Sequence, residues 1–209
     1  MDATPVTNQQ FVVFLNQVLP KIEVKDGVVH SDGRIWLYLG QVKPGYEPII
    51  YDGRFHIRIA EHAACPVLRV TGYGAAAYAR FYGERLPTGG EWFYAVKTGL
   101  PKGPGQAAWL KSQKELPIPS PVMVYKANSF GIRGLNANIG EWGIEDKDDE
   151  LSSKKAKHAK PETYVVLGGL HENTDQERPS IVGPITRFPW EAFERVGFQC
   201  VRNINGKSE

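Results

Sequence analysis

His171, Glu172 and Asp175 form the densest group of chemically capable side chains in the sequence. An imidazole beside carboxylates can ligate a metal or pass protons, so His171 and Glu172 are the acid–base candidates if the protein is an enzyme. The competing reading is a solvated polar loop, which such a trio on a hydrophilic stretch more often is. His30, His56 and His62 are scattered, without the H-E-x-x-H spacing that puts two imidazoles on one helix face. Cys65 and Cys200 are too few for a cysteine-built zinc site or a disulfide framework, and each reads as a small buried hydrophobe. Gly103-Pro104-Gly105 is followed by no Lys-Ser/Thr pair at P-loop spacing, so no phosphate cradle is expected. The larger side chains are more informative. Trp109, Arg178, Arg187, Phe188 and Trp190 fall in the stretches 100–120 and 170–190, and Trp and Arg are enriched at interaction hot spots. For Phe188 and Trp190 the competing reading is packing in the core.

A scaffold must hold these side chains, and the rest of the sequence describes one. The chain has 209 residues, 42% hydrophobic, 23% charged and 11% aromatic, the profile of one globular domain able to bury a core and not of a disordered chain. No apolar run approaches the ~18 residues that a membrane helix needs. Basic and acidic residues number 25 and 23, and the net charge of +2 supplies no field for holding nucleic acid, which is not an expected partner. Met1-Asp2-Ala3-Thr4-Pro5 shows no basic segment followed by an apolar one, so no signal peptide is visible. The compartment stays open, a periplasmic or membrane-associated assembly included.

The 22 Gly and 15 Pro favour short strands, tight turns and loops over a helical bundle. The first helix is well signed. Thr7 and Gln10 make a capping box, Val6 and Phe11 a hydrophobic staple, and Phe11, Phe14, Leu15, Val18 and Leu19 one apolar stripe that Pro20 ends. From Ile22 to Ile59 short apolar runs are separated by Asp26-Gly27, Asp32-Gly33 and Asp52-Gly53, which reads as strands and hairpins. Thr71 caps a second helix ending near Gly83, and Thr88 with Glu91 a third that stops at Gly99. Residues 101–121 lack periodicity and read as irregular backbone. Residues 145–162, an acidic cluster followed by a basic one, read as a mobile solvated loop. Two strands close the chain, Thr163 to Leu167 and Arg195 to Arg202, and the expected organisation is one domain over residues 1–209.

Five ordered motifs carry a resemblance. Residues 5–11 read P-V-T-N-Q-Q-F, residues 65–75 C-P-V-L-R-V-T-G-Y-G-A, and residues 85–95 R-L-P-T-G-G-E-W-F-Y-A. Pro121 to Trp142 follows the pattern P-V-x-x-x-x-x-N-G-F-G-L-Y-D-M-x-G-N-V-W-E-W without a gap, and V-L-G-G at 166–169 precedes V-G-F-Q-C-V-R at 196–202. In these stretches the sequence resembles the formylglycine-generating enzyme family, also called the sulfatase-modifying factor family, over nearly its whole length. The resemblance implies an irregular, loop-rich α+β fold related to C-type lectins, with few helices and short antiparallel strands.

The chemistry that the resemblance implies is where the sequence departs. Relatives that make formylglycine hold copper(I) with two cysteines after G-G-S-W, and soft thiolates suit that ion. Here residues 168–190 contain no cysteine, Leu170 stands in place of the serine after Gly-Gly, Gly140 in place of the tryptophan before Glu-Trp, and Cys65 in place of a histidine. An active formylglycine-generating oxidase is therefore not expected. The resemblance also implies a calcium site, of which the Ala137 and Ile139 carbonyls and the Glu141 carboxylate remain, while the expected Asn or Asp is Gly134. Calcium takes six to eight oxygens, so the expectation is no cofactor, with calcium at Ala137, Ile139 and Glu141 as the one metal candidate. Another role for Glu141 and Asn138 is to satisfy loop backbone groups.

Relatives also carry several dozen residues ahead of the first motif, including a strand of the central sheet. Their lack here predicts an exposed sheet edge that a partner covers, against which stands a truncated or minimal domain. The function expected is a non-catalytic binding or assembly module contacting a protein partner through Trp109, His171, Arg178, Arg187 and Trp190. The alternative is a divergent enzyme of the same fold, maturing or tailoring a small molecule or peptide without the copper–cysteine site. The family's pyoverdine-maturation member suggests that such a change can occur.

Overall fold

The computed structural model describes residues 1–103, 105–137, 139–146, 162–169 and 183–203. Helix α1 (Asn8–Gln17) starts where the capping box requires, with Thr7 Oγ1 accepting from Gln10 N and the Gln10 side chain accepting from Thr7 N. Val6, Phe11, Phe14 and Leu15 are buried in the main core, with Phe11 stacked on Tyr78 and edge-on to Phe198. The next strands, β1 (Glu23–Lys25), β2 (Val28–Ser31) and β3 (Arg34–Tyr38), form an antiparallel meander. Asp26-Gly27 and Asp32-Gly33 both have positive φ at the two central positions, as tight hairpin turns demand. In the pair β4 (Ile49–Tyr51) and β5 (Phe55–Ile57), only Gly53 of the Asp-Gly dipeptide is left-handed, because three residues make the connection.

Helices α2 (Gly72–Phe81) and α3 (Gly89–Gly99) are capped by Thr71 and Thr88 as expected. At α3 the cap extends into an ion pair. Glu91 accepts from Thr88 N at 2.9 Å and takes a two-pronged bond from Arg85 at 2.6 and 2.7 Å, so R-L-P-T-G-G-E is a structural unit. Asp146 Oδ2 accepts from Gly90 N in the same first turn, where a carboxylate also complements the helix dipole.

Residues 101–121 are not irregular throughout, because Gly105–Lys114 form helix α4. Its buried face consists of Leu110 and Gln113 with a half-buried Trp109, too few apolar positions for a periodic stripe. Gln113 repays its burial by accepting from Lys126 N.

The central sheet has the order β8-β7-β6-β9, made by β6 (Gly140–Ile144), β7 (Tyr164–Gly168), β8 (Ile185–Arg187) and β9 (Val196–Gly197). Only β6–β9 is parallel. The expected final strand is shorter than Arg195 to Arg202, since after Gly197 the described chain makes the Arg85–Val201 bridge and single backbone bonds from Val6 and Asp2 instead of a continuous ladder. Alternation along β6 and β7 divides two cores. Trp142, Ile144, Tyr164 and Val166 face the main core with α1 and α2, whereas Val165 and Leu167 face a second one under α3 and α4. A third, smaller cluster gathers Val42, Tyr46, Cys65, Leu68 and Ile139. Mixed helices, short antiparallel strands and long connections make this the irregular α+β fold expected. Of the charged stretch 145–162, residues 147–161 lie outside the described residues.

Candidate functional site

Strand β7 ends in Gly168 and Gly169, both left-handed, and each glycine allows a close approach. A Cβ on Gly168 would stand 2.8 Å from the Trp92 ring, and one on Gly169 2.9 Å from Gly140 N. Glu141 is paired with Leu167 on β7, so its side chain enters the second core beside Trp92. There it is fully buried, and neither carboxylate oxygen has a hydrogen-bond partner among the described residues. Burial pushes its pKa up to about 8, and Trp92 Nε1 draws it slightly back without reaching hydrogen-bond geometry.

An orphaned carboxylate is what a cation site requires, but the donor set around it falls short for calcium. Two carbonyls and one carboxylate give at most four oxygens against six to eight. Gly134, where a side-chain ligand is expected, is left-handed and packs so closely on Pro5 that a Cβ there would lie 2.9 Å from Pro5 Cγ. This set alone does not complete a calcium shell, and burial favours the protonated form of Glu141. The copper(I) chemistry fits no better. Cys65 lies in the third cluster and Cys200 in the main core, both free and buried, so the chain brings no thiolate pair together.

Gly140 N donates to Arg195 O, which sets Arg195 beside the end of β6. There a cleft of ≈300 Å³ is lined by Val42, Lys43, Leu68, Leu116, Glu194 and Arg195, among others. Two cations and one carboxylate on apolar walls suit an anionic or amphipathic group, and the described lining holds no thiol, imidazole or hydroxyl nucleophile. Nothing in the spacing of these residues marks them; the sheet and the third cluster assemble them.

Past β8 the surface is aromatic. Phe188 and Trp190 stack face to face, 4.7 Å between centroids and 11° between planes, and remain 62% and 49% exposed. Tyr73 N donates to Pro189 O between them, and Arg34 lies over the Tyr73 ring at 4.9 Å. Arg187 is half-buried over Phe193, itself against Trp142. The structure thus joins Arg187, Phe188 and Trp190 in one neighbourhood. It places Trp109 elsewhere, packed on the second core. His171, Glu172, Asp175 and Arg178 lie outside the described residues, as does Asn138.

Residues 1–204 match the family model for the sulfatase-modifying factor enzyme 1-like domain. The chain belongs to that family. The domain is 33% identical over 155 residues to serine/threonine-protein kinase pkn1 of Chlamydia caviae, covering 68% of this chain and 22% of the kinase-named protein. It is 31% identical to pkn1 of Chlamydia pneumoniae over 219 aligned positions, 98% of this chain and 33% of that one. Against the formylglycine-generating enzyme of Mycobacterium tuberculosis it is 30% identical over 178 residues, 68% of this chain and 59% of the enzyme. The sulfatase-modifying factor-like domain thus spans a third or less of these kinase-named relatives. The solved structure titled "Crystal Structure of CarF" shares its fold, with a TM-score of 0.56 and 18% identity over 97% of this chain and 85% of that one. Among the domain's described residues, no helix is long and apolar enough to cross a membrane.

Proposed function

We propose that this domain is a non-catalytic binding or assembly module that seats a protein partner against the aromatic rim after β8. The observation that carries the reading is the stacked pair Phe188 and Trp190, half-exposed or more just past the end of β8. Two large rings left in water are costly unless something covers them, and aromatic and Arg residues dominate the energetics of interfaces. Arg187 and the neighbouring Arg34 supply cations at the edge of the patch. The kinase-named relatives support a module, since the matched portion is a minority of each of them. This chain itself has no H-R-D or D-F-G triplet of the kind kinase chemistry uses.

The test is the mass of the assembly recovered from the protein's own source, with every co-purifying chain identified. A stoichiometric hetero-complex is expected. The double variant Phe188→Ser/Trp190→Ser should lose the partner, with affinity down ~100-fold and folding unchanged. A native monomer, or a complex indifferent to both substitutions, would overturn the reading. The enzyme alternative rests on His171 and Glu172. It predicts a turnover lost in the His171→Ala/Glu172→Ala variant.

A further inference from the structure

On the face of the molecule defined by α1, the end of α2 and the segment after β9, three metal-ligating side chains from distant parts of the chain converge. Asp2, Glu84 and Cys200 each place one ligand atom such that all three lie within 4.8 Å of one another. The backbone fixes each of them. Asp2 N donates to Cys200 O at 2.8 Å. Glu84 follows the left-handed Gly83 with its N–H bonded to Ala79 O, and Arg85 exchanges both backbone hydrogen bonds with Val201, which sets Glu84 beside Cys200. Cys200 is wholly buried, with both carboxylates beside its thiol and the Tyr78 hydroxyl within electrostatic reach of all three. It is a soft donor aimed into the space between two hard ones.

We infer that Asp2, Glu84 and Cys200 form a zinc site whose fourth position faces a cleft. One thiolate and two carboxylates suit borderline-soft zinc better than calcium or magnesium, which prefer oxygen alone, or copper(I), which prefers sulfur. The charges close as well. Arg202 Nη2 donates to Glu84 Oε1 at 2.9 Å, so three anions are balanced by a divalent ion and one guanidinium, which also orients the Glu84 carboxylate from outside. Burial and the neighbouring carboxylates push the Cys200 thiol up, and burial with Glu84 pushes Asp2 up. A bound ion would reverse both. Asp2, Glu84 and Arg202 line a cleft of ≈540 Å³ together with Gln9, Gln10 and Tyr82, which leaves room and polar surface for a water or incoming anion on the metal. Three protein ligands and one open position is the pattern of zinc sites that exchange their fourth ligand.

The site does not depend on the aromatic rim, and its test is separate. The chelator-treated chain is titrated with zinc against a chromophoric competitor, then with cobalt as a spectroscopic stand-in. One ion per chain is expected, and cobalt should show thiolate-to-metal charge transfer. Cys200→Ser should weaken zinc ~100-fold and remove that absorption, Glu84→Gln should weaken it ~10-fold, and Cys65→Ser should change neither. Should Cys200→Ser fail to fold, Asp2→Asn decides the matter, because it should weaken zinc ~10-fold and keep the thiolate absorption of the cobalt complex. Failure to bind zinc, a cobalt complex without thiolate absorption, or zinc affinity indifferent to both Glu84→Gln and Asp2→Asn overturns the inference.

Discussion

Trp142 and Trp190 belong to the same sheet region and live in opposite surroundings. Trp142, on the central strand β6, is wholly buried, donates its Nε1–H to Val70 O at 2.9 Å, and touches Tyr164 and Phe193. Trp190, just past the edge strand β8, stacks on Phe188 and faces water. Phe193 against Trp142 and Arg187 over Phe193 connect the two. The inner tryptophan is spent on holding the sheet to the main core. The outer one has no such task and keeps its face exposed, so the same residue type serves architecture at one place and, in the proposed reading, recognition at the other.

The sharpest way to break this contrast is Trp142→Ala. It empties a core site and leaves Val70 O unpaired, for an expected loss of ~3–5 kcal/mol in denaturant unfolding. Next is the carboxylate that shares the sheet interior with it. The folded-state pKa of Glu141 is raised from 4.5 to about 8, so the folded state holds its proton more tightly than the unfolded state does. Stability should therefore fall as pH rises from about 4.5 to about 8, by at most ~1.4 kcal/mol per unit, and then level off. Glu141→Gln should flatten that slope in urea titrations at several pH values. Added calcium should leave the native midpoint unchanged; a calcium-dependent rise abolished by Glu141→Gln would restore the metal reading.

Glu91 gives the opposite sign. Its pKa is lowered, chiefly by the hydrogen bonds from Arg85, so its contribution is present above the unfolded-state pKa and lost as pH falls through the folded one. Because the pair is partly exposed, Glu91→Ala should cost only ~1 kcal/mol, most of it from the lost capping box. The smallest effect on folding belongs to the rim. Trp190→Ser should move the unfolding midpoint by no more than ~0.5 kcal/mol while its effect on partner binding is the largest of the series.

Local chemistry made part of this fold legible. Thr7 with Gln10, Thr88 with Glu91, and the Asp-Gly turns act within four residues, and each does in the fold what its residue types dictate. Strand β6 was illegible for the opposite reason: all five residues are buried, so no alternation betrays it. Helix α4 hid behind its sparse apolar face, and β8 is only three residues long. At the candidate site, Arg187 and Trp190 were legible by type, but their stacking and exposure arise from how β8 leaves the sheet. Trp109 was legible by type alone, and the fold packs it half-buried on the second core, away from the rim. Glu84 and Cys200 meet only because Arg85 pairs with Val201, a contact between the end of a helix and the end of the chain that no spacing rule anticipates.

Glu145 N donates to Thr163 O at 2.9 Å, directly beyond the paired ends of β6 and β7. The residues that flank the charged stretch are therefore held side by side at the end of the sheet, while Asp146 is tied to the first turn of α3. Doubling the length of a flexible loop raises its closure cost by only ~0.6 kcal/mol. The sheet end at Glu145 and Thr163 is thus a splice point, where the two ends of an inserted reporter or foreign domain would find their anchors already side by side.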